Sequence, residues 1–181
     1  MNSFLKTLLI LSLCELFGFG IIESTEAQSF FIGQEYQGGF IFYIDSTGHH
    51  GLIVAPFELG YFPLLYRTEW RVEGASGLDI GTGFRNTVNI LEYCKFDGET
   101  APYYCATLIY KGYKDWFLPS IDELDQLYRE KESITGGFKE GYYWSSSVAA
   151  RFYGWAESFY SGDTRLVHPY ARLNVRPIRA F

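Results

Sequence analysis

The chain has 181 residues, with 15 Lys and Arg against 21 Asp and Glu, for a formal net charge of −6. That length provides for one ordinary domain. The acidic balance excludes general nucleic-acid binding, which needs a basic footprint.

Residues 1–27 read as a cleaved secretory leader. Lys6 supplies its positive charge, residues 8–14 a short apolar core, and Thr25-Glu26-Ala27 a cleavage site after Ala27. Glu15 interrupts the apolar run, and a bilayer core needs about 20 consecutive apolar residues, so no spanning helix is expected. Residues 28–181 then form the domain, in a secreted, periplasmic or cell-surface setting. Loss of Lys6, Glu15, Glu23 and Glu26 with the leader leaves that domain acidic. From Ser145 onward the balance reverses, with Arg151, Arg165, Arg172, Arg176 and Arg179 against only Glu157 and Asp163. Cys94 and Cys105 favour a disulfide closing a short loop, as an even pair in a secreted domain does. The alternative is two buried thiols acting as small hydrophobes. Neither C-x-x-C spacing nor nearby histidines support zinc.

Residues 39–44 and 51–55 are short β-branched and aromatic runs around a polar turn, the pattern of a hairpin. His49 and His50 in that turn point to opposite faces, which suits exposed residues rather than metal ligands. Residues 56–77 are irregular and aromatic, with Tyr61, Tyr66 and Trp70 among their rings. These rings either stack on the apolar faces of sugars or fill a satellite core under a loop. The glycine-rich segment 79–87 lacks a following G-K-[ST], so it reads as a tight turn capped by Asn86 ahead of a helix through Cys94. A second helix starts after Thr100, with Pro102 in its first turn, and runs to near Gly112.

The stretch GYKDWFLPSIDELDQLY, residues 112–128, organises the chain. Ser120 and Glu123 form an S-x-x-E capping box, and Ile121, Leu124, Leu127 and Tyr128 share one helical face. The helix starts at Ile121 and stops before Gly136-Gly137. Residues 142–147 read as a strand in which Ser145-Ser146-Ser147 are structural hydroxyls, since no G-x-S-x-G elbow surrounds them. Residues 154–160 and 165–168 form another hairpin, and residues 173–178 the closing strand. Arg176 and Arg179 are expected to be satisfied, partly buried arginines.

The segment DWFLPSIDEL resembles the W-R-L-P-T-x-x-E-L signature of a bacterial family of unknown function, the Lcl C-terminal family, named for the end domain of a collagen-like adhesin. GGFIFYID at 38–45, YWSSS at 143–147 and the ending VRPIRAF at 175–181 match further pieces in order. The resemblance covers nearly everything after residue 32. It marks Trp116, Pro119, Ser120, Glu123, Trp144, Arg176 and Arg179 as structural motif positions. It implies an α+β, C-type-lectin-like single domain: a twisted antiparallel sheet, two or three helices and long irregular loops, with the last strand beside the first. More distantly it is similar to the formylglycine-generating enzymes. The chain departs from the namesake in lacking a G-X-Y repeat. It also lacks the E-P-N, Q-P-D and W-N-D motifs by which many C-type lectins hold calcium and sugar.

The expected function is a non-enzymatic binding module, without cofactor or metal, that takes an acidic or neutral glycan or another surface protein. A structural or assembly component of the cell envelope is the alternative. A formylglycine-generating-like enzyme is disfavoured, because its chemistry needs a reactive cysteine pair late in the domain and no cysteine follows Cys105. The ligand candidates lie in residues 56–77 and 148–172: Tyr61, Tyr66 and Trp70 for stacking, Arg151, Arg165 and Arg172 for acidic groups.

Overall fold

The structure is a computed structural model that describes residues 29–65, 74–95, 98–149 and 153–181. The leader reading of residues 1–27, and the candidates Tyr66, Trp70 and Arg151, lie outside the described residues. Among those described, no helix is long and apolar enough to cross a membrane.

The domain is α+β, with two sheets and three α-helices among the described residues. The first sheet contains β1 (Glu35–Tyr36), β2 (Gly39–Ile44), β3 (Gly51–Val54) and β9 (Ile178–Ala180), antiparallel in the order β1-β2-β3-β9. The second contains β4 (Gly60–Phe62), β5 (Tyr142–Ala149), β6 (Tyr153–Ser158), β7 (Thr164–Val167) and β8 (Leu173–Val175). Its order is β4-β8-β5-β6-β7, antiparallel except for β5 against β8. Helices α1 (Gly83–Tyr93), α2 (Ala101–Ala106) and α3 (Ile121–Arg129) fall between β4 and β5, and a 3-10 turn at Lys131–Ser133 follows α3.

The family resemblance implies one twisted sheet; two are found, and the closing strand is where they separate. Pro177 has no N–H to continue a ladder, so the run splits into β8 in one sheet and β9 in the other. The Pro177 carbonyl accepts from Ala55 N–H at 3.0 Å. The ending also pairs with β3 rather than with GGFIFYI itself, in the register Ile53 opposite Arg179, so β3 stands between them.

Helix α2 ends well before Gly112. Thr107 Oγ donates back to Tyr103 O, and the chain then turns sharply. Tyr110 and Tyr113 exchange backbone hydrogen bonds across Lys111 and Gly112, both with positive φ. Helix α1 starts earlier than expected, with Thr82 at its N-cap and no side-chain cap bond there. Asn86 is therefore not a cap. It is buried inside the helix, where its amide donates to Gly77 O and accepts from Gly77 N–H.

The core has three clusters, and consecutive residues of the 112–128 stretch enter each of them. Trp116 packs with Ile41 and Ile53, Phe117 with Leu124 and Ile178, and Leu118 with Ile90 and Trp144. The extended backbone that spreads these side chains also ties the sheets together. Phe117 exchanges two hydrogen bonds with Ile178, the first residue of β9, and Pro119 O accepts from Ser146 N–H of β5 at 2.6 Å.

Candidate functional site

Three groups of polar residues could carry function. Two are committed to holding the fold, and the third is open at one end of the second sheet.

The first surrounds α3. Its capping box is complete: Glu123 N–H donates to Ser120 Oγ at 3.2 Å, and Ser120 N–H donates to Glu123 Oε2 at 2.7 Å. The other carboxylate oxygen accepts from Gly81 N–H at 2.8 Å. The glycine-rich loop is thus an anion cradle whose anion is the protein's own Glu123. A Cβ at Gly83 would collide with that carboxylate and with Ser120 N–H. Burial pushes the Glu123 carboxyl upward in spite of the N–H groups of Ser120, Gly81 and Gly83. The serines of β5 finish this region. Ser145 Oγ donates to Trp155 O, Ser146 Oγ to Pro119 O, and Ser147 Oγ to Gly77 O while accepting from Ile121 N–H. All three are buried and bonded to main chain, the role expected of them.

The second group is the arginines of the ending, both buried. Arg179 forks onto Asp115 at 2.9 and 2.8 Å, gives a third bond to Gln37 Oε1, and lies over the Tyr113 ring. Its hydrogen bonds hold the Asp115 carboxyl below the usual range. Arg176 is less well served. Its Nη1 donates to Glu58 Oε1 at 2.9 Å and its face rests on Phe138, but Nε and Nη2 have no partner among the described residues. Tyr143 O–H donates to the same Glu58 oxygen at 2.8 Å. Burial raises the Glu58 carboxyl, yet Tyr143 and Arg176 outweigh it and hold the group below its ordinary value. Glu58 and Tyr143 escape a sequence reading because Glu58 lies 118 residues from Arg176 and 85 from Tyr143.

Cys94 and Cys105 are buried thiols of one cluster, with no disulfide between them, in place of the pairing favoured by their number. Burial pushes the Cys105 thiol strongly upward, which keeps it protonated and inert. Trp144, the other motif ring, is buried and donates from Nε1 to Phe62 O at 2.9 Å.

The third group is exposed. Register places Tyr61 opposite Asn174, Tyr143 opposite Asn174, and Tyr142 opposite Ser158, so Tyr61, Arg172 and Tyr142 share one end of the second sheet. Arg172 Nη1 donates to Tyr61 O at 3.3 Å, and half of the Tyr61 surface is open. Arg165, on β7, projects on the face of Ala156 and Trp144. Its guanidinium lies 3.6 Å from the centroid of Tyr142, two residues along on that face. Arg165 is exposed and makes no ion pair among the described residues. The two predicted loops thus meet at Tyr61 and Arg172. Tyr61 alternates onto the face opposite to Arg165, so the candidates flank the sheet end from both sides. Tyr142 is the residue that the sequence reading missed. Its one available signal was its place two residues ahead of Trp144 on the same strand face.

Elsewhere, Tyr153, His168 and Tyr170 form an exposed edge-to-face run. A concavity of about 320 Å³ is lined by Lys131, Glu132, Phe138, Glu140, Phe159 and Tyr160. Lys131 is already committed, donating to Phe159 O at 2.9 Å and lying over Tyr128, so the two glutamates make this hollow unsuited to an anion. His49 and His50 are exposed in their turn, and no group of three or more metal-binding side chains occurs among the described residues.

No protein-family model matches the chain, and no curated protein matches it.

Proposed function

We propose that the protein is a non-enzymatic binding module of the Lcl C-terminal type, C-type-lectin-like in fold, secreted or held at the cell surface, that takes an acidic glycan. The ligand lies at the sheet end formed by Tyr61, Tyr142, Arg165 and Arg172. The observation that carries this reading is Arg165, an exposed guanidinium stacked on an aromatic ring with no carboxylate partner among the described residues. Its counterparts Arg176 and Arg179 are buried against Glu58 and Asp115. A planar fork held flat on a ring keeps its edge N–H groups available to sulfate or carboxylate. Tyr61 supplies a ring for the apolar face of a sugar. The serine hydroxyls and cysteines are buried and committed to packing or main chain, which supports a binding role over catalysis.

A second reading, an assembly component of the cell envelope, is favoured by the exposed run of Tyr153, His168 and Tyr170, which would suit a protein partner. Titrating the purified protein against a panel of neutral and sulfated glycans separates the two. Saturable binding of sulfated members alone is the expected result; no binding to any glycan would remove the first reading.

A further inference from the structure

Strand β6 alternates between two environments. Ala156 packs with Trp144 in one cluster, while Trp155 and Phe159 pack with Leu124 and Leu127 of α3 in another. Glu157 stands two residues from each of those rings and therefore projects into the same apolar layer beneath α3. It is fully buried, and neither of its carboxylate oxygens has a hydrogen-bond partner among the described residues.

The surrounding elements offer it little. From α3 come Asp125 and Arg129, which are bonded to each other at 2.6 Å on the helix surface. From β5 comes Tyr143, opposite in register, whose hydroxyl is committed to Glu58. From β7 comes Thr164, also opposite in register and without a bond to the carboxyl. A carboxylate so placed neutralises rather than remaining charged. Burial, reinforced by Asp125, pushes the Glu157 carboxyl up to about 8, and Arg129 opposes only part of this.

We propose that Glu157 is a proton-held latch that fastens the β6–β7 hairpin beneath helix α3, closed while its carboxyl is protonated and loosened when it ionises. In the opened hairpin the group meets water and titrates near its ordinary 4.5, against about 8 when closed. Opening between those values releases a proton. The closed form is therefore favoured fully below about 4.5 and loses ground about tenfold per pH unit above it. The whole contribution is gone above about 8. This hairpin also carries Arg165, so ionisation would loosen one wall of the glycan face. That consequence rests on the function proposed above; the latch does not, and it is tested without ligand.

The test is amide hydrogen exchange on the whole protein between pH 5 and pH 8, corrected for intrinsic exchange rates. Protection in β6 and β7 should fall about tenfold per pH unit in the wild type and stay level in Glu157→Gln, whose neutral side chain imitates the protonated acid. Level protection in the wild type, or an equal slope in the variant, overturns the latch. Should Glu157→Gln fail to fold, carboxyl-carbon NMR on the wild type decides. A Glu157 titration near pH 8, moving together with the hairpin amides, supports the latch, and one near its ordinary value overturns it.

Discussion

The stretch from Trp116 to Glu123 and the strand end around Tyr142 and Arg165 handle charge in opposite ways. At the first, Glu123 is buried with one oxygen on Ser120 N–H and the other on Gly81 N–H, at the positive end of a helix. Every hydrogen bond of that carboxylate is internal, so it specifies how a loop, a helix and a strand meet and has nothing left for a ligand. At the second, Arg165 spends only its face, on Tyr142, and its edge stays in water. Partner count and burial, rather than residue type, separate a structural charge from one available for recognition.

Substitutions should divide along the same line. Trp116→Ala should have the largest effect, a loss of about 3–5 kcal/mol, because it empties a fully packed ring site in one of the three clusters. Denaturant unfolding would measure it, and a stable variant would show that the stretch does not join the sheets. Glu123→Gln comes next, at about 2–3 kcal/mol, since an amide cannot accept from both Ser120 and Gly81 in the buried cradle. Ser120→Ala should cost about 1 kcal/mol, the usual worth of an N-cap, and lower the melting temperature by about 3 °C. Arg165→Ala with Arg172→Ala should have the smallest effect on stability, within about 0.5 kcal/mol, as expected of exposed positions. A double variant that melted much earlier would move these arginines into the structural class.

Local signals were legible and long-range ones were not. Ser120 and Glu123 lie three residues apart, so their cap and the start of α3 can be read directly from the spacing. The serine triplet also reads correctly, because nothing near it could activate a hydroxyl. The partner of the Gly81–Gly83 loop is Glu123, some forty residues on, and no local rule connects a glycine turn to a distant carboxylate. Asn86 looks like a cap in sequence because capping residues and buried bridging amides share one chemistry; only the contact with Gly77 separates them. The split at Pro177 was foreseeable from its missing N–H, but its result, one run feeding two sheets, depends on tertiary pairing. Stacking of Arg165 on Tyr142 needs the cross-strand register, which sequence alone leaves open.

The most direct measurement is the affinity for a sulfated glycan as a function of salt, for the wild type and for the Arg165→Ala/Arg172→Ala double variant. Exposed charges are screened within about 10 Å at 0.1 M ionic strength. Wild-type binding should therefore weaken steeply as salt rises. The double variant should bind weakly from the outset, depend less on salt, and melt at the wild-type temperature. Wild-type binding that ignores salt, or that survives both substitutions unchanged, would contradict the assignment of the acidic-glycan site to this strand end.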